Sequence, residues 1–240
     1  MTWEYELDWP GVVGGFAGRF TREHSDGALQ NALGAMEGER TLVEAEQVHG
    51  GEVAVVRVEE LRDGTAHVQG VDGLVTDARR AVLAIYVADC LAIFLSHEGA
   101  PAVGLAHAGW RGLAACMPGT LARTALDAFG GSAADLRVAL SPCIRQCCFE
   151  VGEEVAEHFD AIEGAVDRSR DRPHVDMIAV AAAQLRHAGV PEGRVEIMDG
   201  CTRCDPRRFA SYRWDRERCG RNVALVGLTE PGERSDVRVP

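Results

Sequence analysis

In this chain of 240 residues, the stretch His107-Ala108-Gly109-Trp110-Arg111-Gly112 combines an imidazole, a glycine turn, an indole and a guanidinium behind the apolar run 101–106. The segment that follows reads as a helix, whose N-terminal N–H groups and dipole favour anions. Upstream, His49 closes a strand-like run in Gln47-Val48-His49-Gly50, and Cys90 ends the run 82–88 in Ala88-Asp89-Cys90. Two imidazoles and a thiolate make a three-ligand set for zinc, with one position left open for chemistry. Each residue also has an inert reading. A cysteine leaving a buried strand is most often a packed thiol, and a lone histidine there is a satisfied core residue. Asp89 weighs toward function, because a carboxylate at a strand end is costly to bury without a partner. Three such side chains at three strand ends can converge on one rim of a sheet, where function often sits.

The elements that would position them are mostly strands. Apolar, β-branched runs predict strands at 41–48, 52–58, 81–87, 92–96, 102–106, 136–140, 195–198 and 223–228, divided by Gly, Asp and Pro turn signals. Helices are predicted at 113–129, stopped by Gly130-Gly131, at 153–162, and at 176–188, opened by Asp176 as N-cap and stopped by Gly189. Residues 14–40 carry glycines and charges without periodicity and read as surface loops. The polar stretch 230–236 reads as a frayed tail. Strands crowd the first half and helices the second, without regular βαβ alternation. The expectation is an α/β fold: a single domain, 1–240, with a mixed β-sheet flanked by helices.

Bulk properties narrow the function. The hydrophobic share of 46% is enough for one large core, and the net charge of −12 excludes non-specific attraction to nucleic acid or anionic lipid. Any phosphate site must therefore be a local cluster of Arg or N–H groups. No run suits a membrane span, and the acidic N-terminus lacks a signal-peptide pattern, so the expected location is cytoplasmic. The eight cysteines then read as free thiols or metal ligands rather than disulfides. Cys201-x-x-Cys204 with Cys143, Cys147 or Cys219 is a minor candidate for a second, structural zinc. The adjacent Cys147 and Cys148 read as packing. His24, His67, His97, His158, His174 and His187 read as solvated.

The motifs resemble those of the YfiH/laccase-domain family. The resemblance rests on Gln47-Val48-His49-Gly50, Asp72-Gly73-Leu74-Val75-Thr76, Ala88-Asp89-Cys90-Leu91 and the block 107–112. It continues through Ser141-Pro142-Cys143-Ile144, Phe149-Glu150-Val151-Gly152, Cys201-Thr202, Phe209-Ala210-Ser211-Tyr212-Arg213 and Gly220-Arg221-Asn222. It implies a YfiH-like α/β domain with zinc held by His49, Cys90 and His107. It also implies purine nucleoside phosphorylase activity on adenosine, inosine or guanosine with phosphate, and adenosine deaminase and methylthioadenosine phosphorylase activities at the same site. Older descriptions of the family imply a polyphenol oxidase or laccase, and bacterial members are linked to editing of peptidoglycan precursors. The chain departs from the family pattern in three places. Gly18-Arg19-Phe20-Thr21-Arg22-Glu23-His24-Ser25 lacks the family's glycine pair, Ala92 stands where Pro is usual, and Cys204 with Arg207-Arg208 is unusual.

Roles follow from the chemistry required. Zinc on this ligand set lowers the pKa of water to about 7, which suits deamination. Phosphorolysis needs a held phosphate and a stabilised leaving base. Arg111 with the start of the 113–129 helix is the expected phosphate cradle. Trp110 is a stacking face or a core residue, and Tyr212 and Arg213 are further pocket candidates or an ordinary strand-edge pair. Cys90, His107 and Asp89 are the expected catalytic residues, with Asp72 and Glu150 as other carboxylates for the general acid. Two alternatives compete. A cysteine hydrolase would use Cys90 as nucleophile and His107 as base. A copper oxidase would use the same ligands with a methionine such as Met117, although the chain has no His-x-His pair.

Overall fold

The computed structural model describes residues 3–20, 40–61 and 64–229. Its strands fall into two six-stranded sheets. The first holds β1 (Tyr5–Glu6), β2 (Val12–Phe20), β3 (Thr41–Ala45), β5 (Thr65–Val68), β7 (Ala81–Val87) and β14 (Arg221–Leu228), in the order β1-β2-β14-β7-β3-β5. The second holds β4 (Val53–Val56), β6 (Gly73–Thr76), β8 (Leu91–His97), β9 (Ala102–Ala108), β10 (Leu136–Leu140) and β13 (Val195–Ile197), in the order β13-β10-β8-β9-β6-β4. β11 (Val166–Asp167) and β12 (His174–Val175) pair separately. Both large sheets mix parallel and antiparallel neighbours. The mixed α/β expectation holds, but the strands divide between two sheets rather than forming one. The consecutive strands β7 and β8 belong to different sheets, so the chain crosses between them at residues 88–90.

Strand periodicity sorts the core into layers. In β8, Leu91, Ile93 and Leu95 face the helices, while Ala92 and Phe94 face the other sheet. In β7, Leu83 and Ile85 face the second sheet, and Val82 and Ala84 the outer side. Strands covered on both faces read as continuous apolar runs, which is why these segments were legible. β2 was not. The expectation of surface loops across 14–40 is corrected for residues 14–20, which lie in a mostly buried strand; residues 21–39 lie outside the described residues. A Cβ on Gly14 would come within 2.1 Å of the Leu225 carbonyl oxygen. The glycines that hide the strand's pattern are there because a neighbouring backbone passes too close for a side chain.

Among the described residues the α-helices are α1 (Trp110–Ala114), α2 (Met117–Phe129), α3 (Glu153–Ala156), α4 (Met177–His187) and α5 (Tyr212–Asp215). The expected 113–129 helix breaks at Cys116, in the left-handed region at φ 59°. Pro118 suits a first turn and not an interior, so α2 restarts there. It ends at Gly130 as expected, with Met117, Leu121, Ala122 and Ala125 against the second sheet. α4 carries the expected cap, Asp176 accepting from the N–H groups of Ile178 and Ala179. The expected 153–162 helix is shorter, giving way after Ala156 to a turn of 3₁₀ helix. Two histidines expected in solvent are buried: His97, bonded to the Gly130 carbonyl, and His174, bonded to the Arg172 carbonyl. Among the described residues no helix is long and apolar enough to cross a membrane. The expected frayed tail lies outside the described residues.

Candidate active site

The crossing between the sheets carries Cys90, and β9 carries His107 opposite Ala92. His49 follows β3, which pairs in parallel with β7. Gln47 ties these loops together: its side-chain amide donates to the Tyr86 carbonyl at 2.7 Å, and its carbonyl oxygen accepts from the Tyr86 N–H at 2.9 Å. Gln47, His49 and Asp89 all have positive φ, at 60°, 61° and 80°. A non-glycine residue there costs about 1–2 kcal/mol, so the surrounding bonds must hold each in place.

Asp72 supplies the bonds at His49. It is wholly buried at the start of β6. Its Oδ1 accepts from the His49 N–H at 2.9 Å and faces His107 Nδ1 at 2.8 Å, while Oδ2 accepts from the Gly50 N–H at 2.6 Å. Burial pushes its carboxyl up, but the His107 bond, the Gly50 N–H, the His107 charge and the His49 N–H hold it below the usual range. With Nδ1 committed to Asp72, His107 turns Nε2 toward Cys90. Asp89 supplies the bonds on the other side. The Thr202 hydroxyl donates to its Oδ1 and the Arg213 N–H to its Oδ2, each at 2.6 Å, and its own carbonyl accepts from the Ile144 N–H.

The result is one constellation. The ligand atoms of His49, Cys90 and His107 all lie within 4.8 Å of one another. The two rings meet edge to face with centroids 4.8 Å apart. A Cβ on Gly109 would sit 3.0 Å from the Cys90 sulfur, so this position leaves no slack behind the thiol. A soft sulfur and two imidazoles, one oriented by a buried carboxylate, fit a single divalent ion with bonds of about 2.0–2.3 Å. The sequence-predicted ligands thus meet.

The protons of the site follow from the same contacts. Burial pushes the Cys90 thiol up, but hydrogen bonds to His107 and His49, then their charge, outweigh it and hold it at about 7. Burial pushes His107 down, and its bonds to Asp72 and Cys90, with their charge, raise it to about 9. Between those values the metal-free pair is a thiolate beside an imidazolium, titrating as a unit. An entering ion must displace the imidazolium proton. Apparent metal affinity is therefore expected to fall about tenfold per unit as pH drops from roughly 9 to 7, and more steeply below. Metal titration calorimetry in buffers of different ionisation enthalpy counts the released proton; an affinity flat over that window would refute the linkage.

The triad opens into a cavity of about 520 Å³. Ile144 and Phe149 give it an apolar wall, and Tyr212, Arg213 and Arg221 line it as well. Arg213 donates to the carbonyls of Glu150 at 3.0 Å and Cys148 at 3.5 Å, and Arg221 to those of Cys219 and Gly220. These bonds use only part of each guanidinium's five donors. Of the expected substrate residues, Tyr212 and Arg213 line the cavity and Trp110 and Arg111 do not. The Arg111 guanidinium stacks on Trp110 at 4.4 Å, and Trp110 borders a neighbouring depression. The N–H groups expected to cradle phosphate are spent within the turn, Leu113 on Gly109, Ala115 on Arg111 and Cys116 on Leu113. Asp89, expected to be catalytic, lines the cavity with both oxygens engaged, so it positions the Cys90 loop. Asp72 is enclosed, and Glu150 is exposed beside Arg172. Sequence reasoning gave Arg221 no role, although its place in the Gly220-Arg221-Asn222 motif was the available signal; the Asn222 amide bonds Ala210 next to the Tyr212 turn.

Comparison with known proteins gives concordant results. A family profile described as multi-copper polyphenol oxidoreductase laccase matches residues 23–229. The chain is 34% identical over 195 residues to purine nucleoside phosphorylase YlmD of Geobacillus stearothermophilus, covering 77% of this chain and 71% of that protein. It is 34% identical over 185 residues to adenosine deaminase RL5 from an unknown prokaryotic organism, covering 72% and 69%. The crystal structure of YlmD from Geobacillus stearothermophilus superposes with a TM-score of 0.80 at 28% identity, covering 92% of this chain and 93% of that one.

Proposed function

This chain belongs to the multi-copper polyphenol oxidoreductase laccase family, and from that premise we propose that it is an enzyme that splits purine nucleosides with phosphate into free base and ribose 1-phosphate. Adenosine deamination and methylthioadenosine phosphorolysis are side activities of the same cavity. The observation that carries the reading is His49, Cys90 and His107 converging at a cavity whose walls carry Arg213 and Arg221. In a chain of net charge −12, these two guanidinium groups provide the local positive charge that phosphate requires. About 520 Å³ lies within the range of small-molecule sites, and Phe149 and Tyr212 offer aromatic faces to a base.

His49, Cys90 and His107 would hold zinc. When bound, the ion supplies Lewis acidity at the cavity floor, for activating water or polarising a substrate atom. The protein's own share is placement. Asp72 fixes the His107 tautomer and the His49 loop, Asp89 fixes the Cys90 loop, and Arg213 and Arg221 hold the anion. Copper oxidation has less support. Met117, the nearest methionine in sequence, is buried in the helix-side core and does not line the cavity.

A specific observation favours a second reading. Cys90, His107 and Asp72 stand in the order of nucleophile, base and orienting acid, as a cysteine hydrolase acting on a wall precursor would need. His49 argues against it, since a nucleophile needs no second imidazole on its sulfur. Alkylation separates the two: a metal-bound Cys90 reacts slowly until a chelator is added, and a free nucleophile reacts at once. The main test incubates zinc-loaded protein with inosine and phosphate, and with adenosine alone, followed by chromatography. Hypoxanthine formed only with phosphate, and inosine formed from adenosine, are expected. The absence of both would overturn the proposal.

A further inference from the structure

A second set of sulfurs lies outside the catalytic cavity. β10 and β13 run parallel at the edge of the second sheet, and the loops beyond their C-terminal ends meet at the bridge between Cys143 and Cys201. From one loop come Cys147 and Cys148, and from the other Cys201 and Cys204. The Cys147 sulfur lies 3.7 Å from that of Cys148 and 3.8 Å from those of Cys201 and Cys204, and Cys148 lies 3.4 Å from Cys204. All four lie within 4.8 Å of one another, and none is in a disulfide. The expectation that the adjacent pair is packing does not hold: both of its sulfurs face the Cys-x-x-Cys turn.

We propose that Cys147, Cys148, Cys201 and Cys204 form a second metal site, a closed four-thiolate site that takes zinc as a structural ion. Four sulfurs at about 2.3 Å from one ion stand about 3.8 Å apart, which matches the separations seen. An iron–sulfur cluster places several atoms between its cysteines and needs a wider cage. Donors also aim at the sulfurs. The Arg145 N–H points to Cys201 Sγ at 3.5 Å, and the Arg203 guanidinium to Cys148 Sγ at 3.6 Å. Thiolate ligands take such outer partners. The turn presenting Cys201 and Cys204 is closed by the N–H groups of Cys204 and Asp205 on the Cys201 carbonyl, each at 3.1 Å. Cys147 and Cys204 are exposed, and four thiols held together at a surface are protected from oxidation when they share an ion.

The site's consequence is mechanical. The first loop carries Ile144 and Phe149 of the cavity wall, and the second carries Thr202, which donates to Asp89 beside Cys90. An ion joining the loops fixes one wall of the catalytic cavity without contacting substrate.

Metal content by mass spectrometry, on protein purified under reducing conditions, tests this independently of any activity. About two zinc ions per chain are expected in the native protein, about one in Cys90→Ala and about one in the double variant Cys147→Ser/Cys204→Ser. A Cys90→Ala protein without metal, or a double variant that keeps two ions, overturns the proposal. Should the double variant fail to fold, cobalt(II) added to Cys90→Ala decides. Strong thiolate-to-cobalt charge transfer with the visible bands of a four-sulfur tetrahedron supports the site; a featureless spectrum, or a disulfide among the four found by peptide mass, refutes it.

Discussion

Replacing Cys90 by alanine is expected to lower phosphorolysis by about 10³-fold or more and to remove one metal ion per chain while leaving the fold intact. Outer-shell partners of metal ligands are worth about 10–100-fold in affinity or activity, and Cys90 is a ligand candidate at the centre of the constellation. Its thiol, at about 7, is the group most readily ionised for an incoming ion, and the only sulfur of the three donors. Alanine leaves two imidazoles and no thiolate, while the Asp72 bonds to His107 and to the His49 and Gly50 N–H groups are untouched. The metal count gives the experiment its force. Loss of activity with loss of one ion supports the metal centre. Loss of activity with an unchanged count supports the cysteine nucleophile instead. Unchanged activity sinks both readings. With excess chelator, thermal unfolding should change little, because Cys90 is half-buried in a turn at the margin of the core; without chelator, the native protein gains the stability of its bound ion.

The ligands were legible because each ends an apolar run: His49 after β3, Cys90 after β7 and His107 in β9. Strands buried on both faces announce themselves by composition, and the residues that close them stand out. What positions the ligands was hidden, because it depends on pairing across the chain. Asp72 reads in sequence as half of an Asp-Gly turn. It reaches His107 only because β6 pairs antiparallel with β9 in a register that sets Gly73 opposite Ala106. Gln47 reads as one letter of a motif, whereas its side chain replaces a strand's backbone pairing at Tyr86. Arg111 was expected to hold phosphate because it follows the glycine turn, yet α1 starts at Trp110 and consumes the N–H groups the reading relied on. Arg221 begins β14, beside β7 and far from the block 107–112 in sequence, and only the sheet order brings it to the cavity. The four surface sulfurs were obscured for the same reason: their meeting depends on parallel pairing of two strands separated by more than one helix.

Asp72→Asn is expected to weaken metal binding by about 10–100-fold, with kcat falling in step when metal is scarce and recovering in part when it is plentiful. The carboxylate accepts from three donors, the His49 and Gly50 N–H groups and His107 Nδ1. An amide of the same shape has one acceptor oxygen and one donor nitrogen. If the nitrogen faces Gly50, two donors oppose each other and the turn that carries His49 loosens. If it faces His107, the imidazole must move its proton to Nε2, the atom that turns toward Cys90, and the lone pair for the ion is lost. Either orientation damages a ligand. Competition with a chromophoric chelator measures the affinity, and unfolding measured with excess chelator isolates the fold, where a charge-assisted hydrogen bond is worth about 1.5–3 kcal/mol. Asp89→Asn is the comparison variant: its carboxylate bonds Thr202 and the Arg213 N–H rather than either histidine, so it acts on the ion through the Cys90 loop and leaves the His107 orientation intact. An Asp72→Asn protein that binds metal as tightly as the native chain would show that His107 needs no carboxylate to orient it. The metal reading would then rest on the three donors alone.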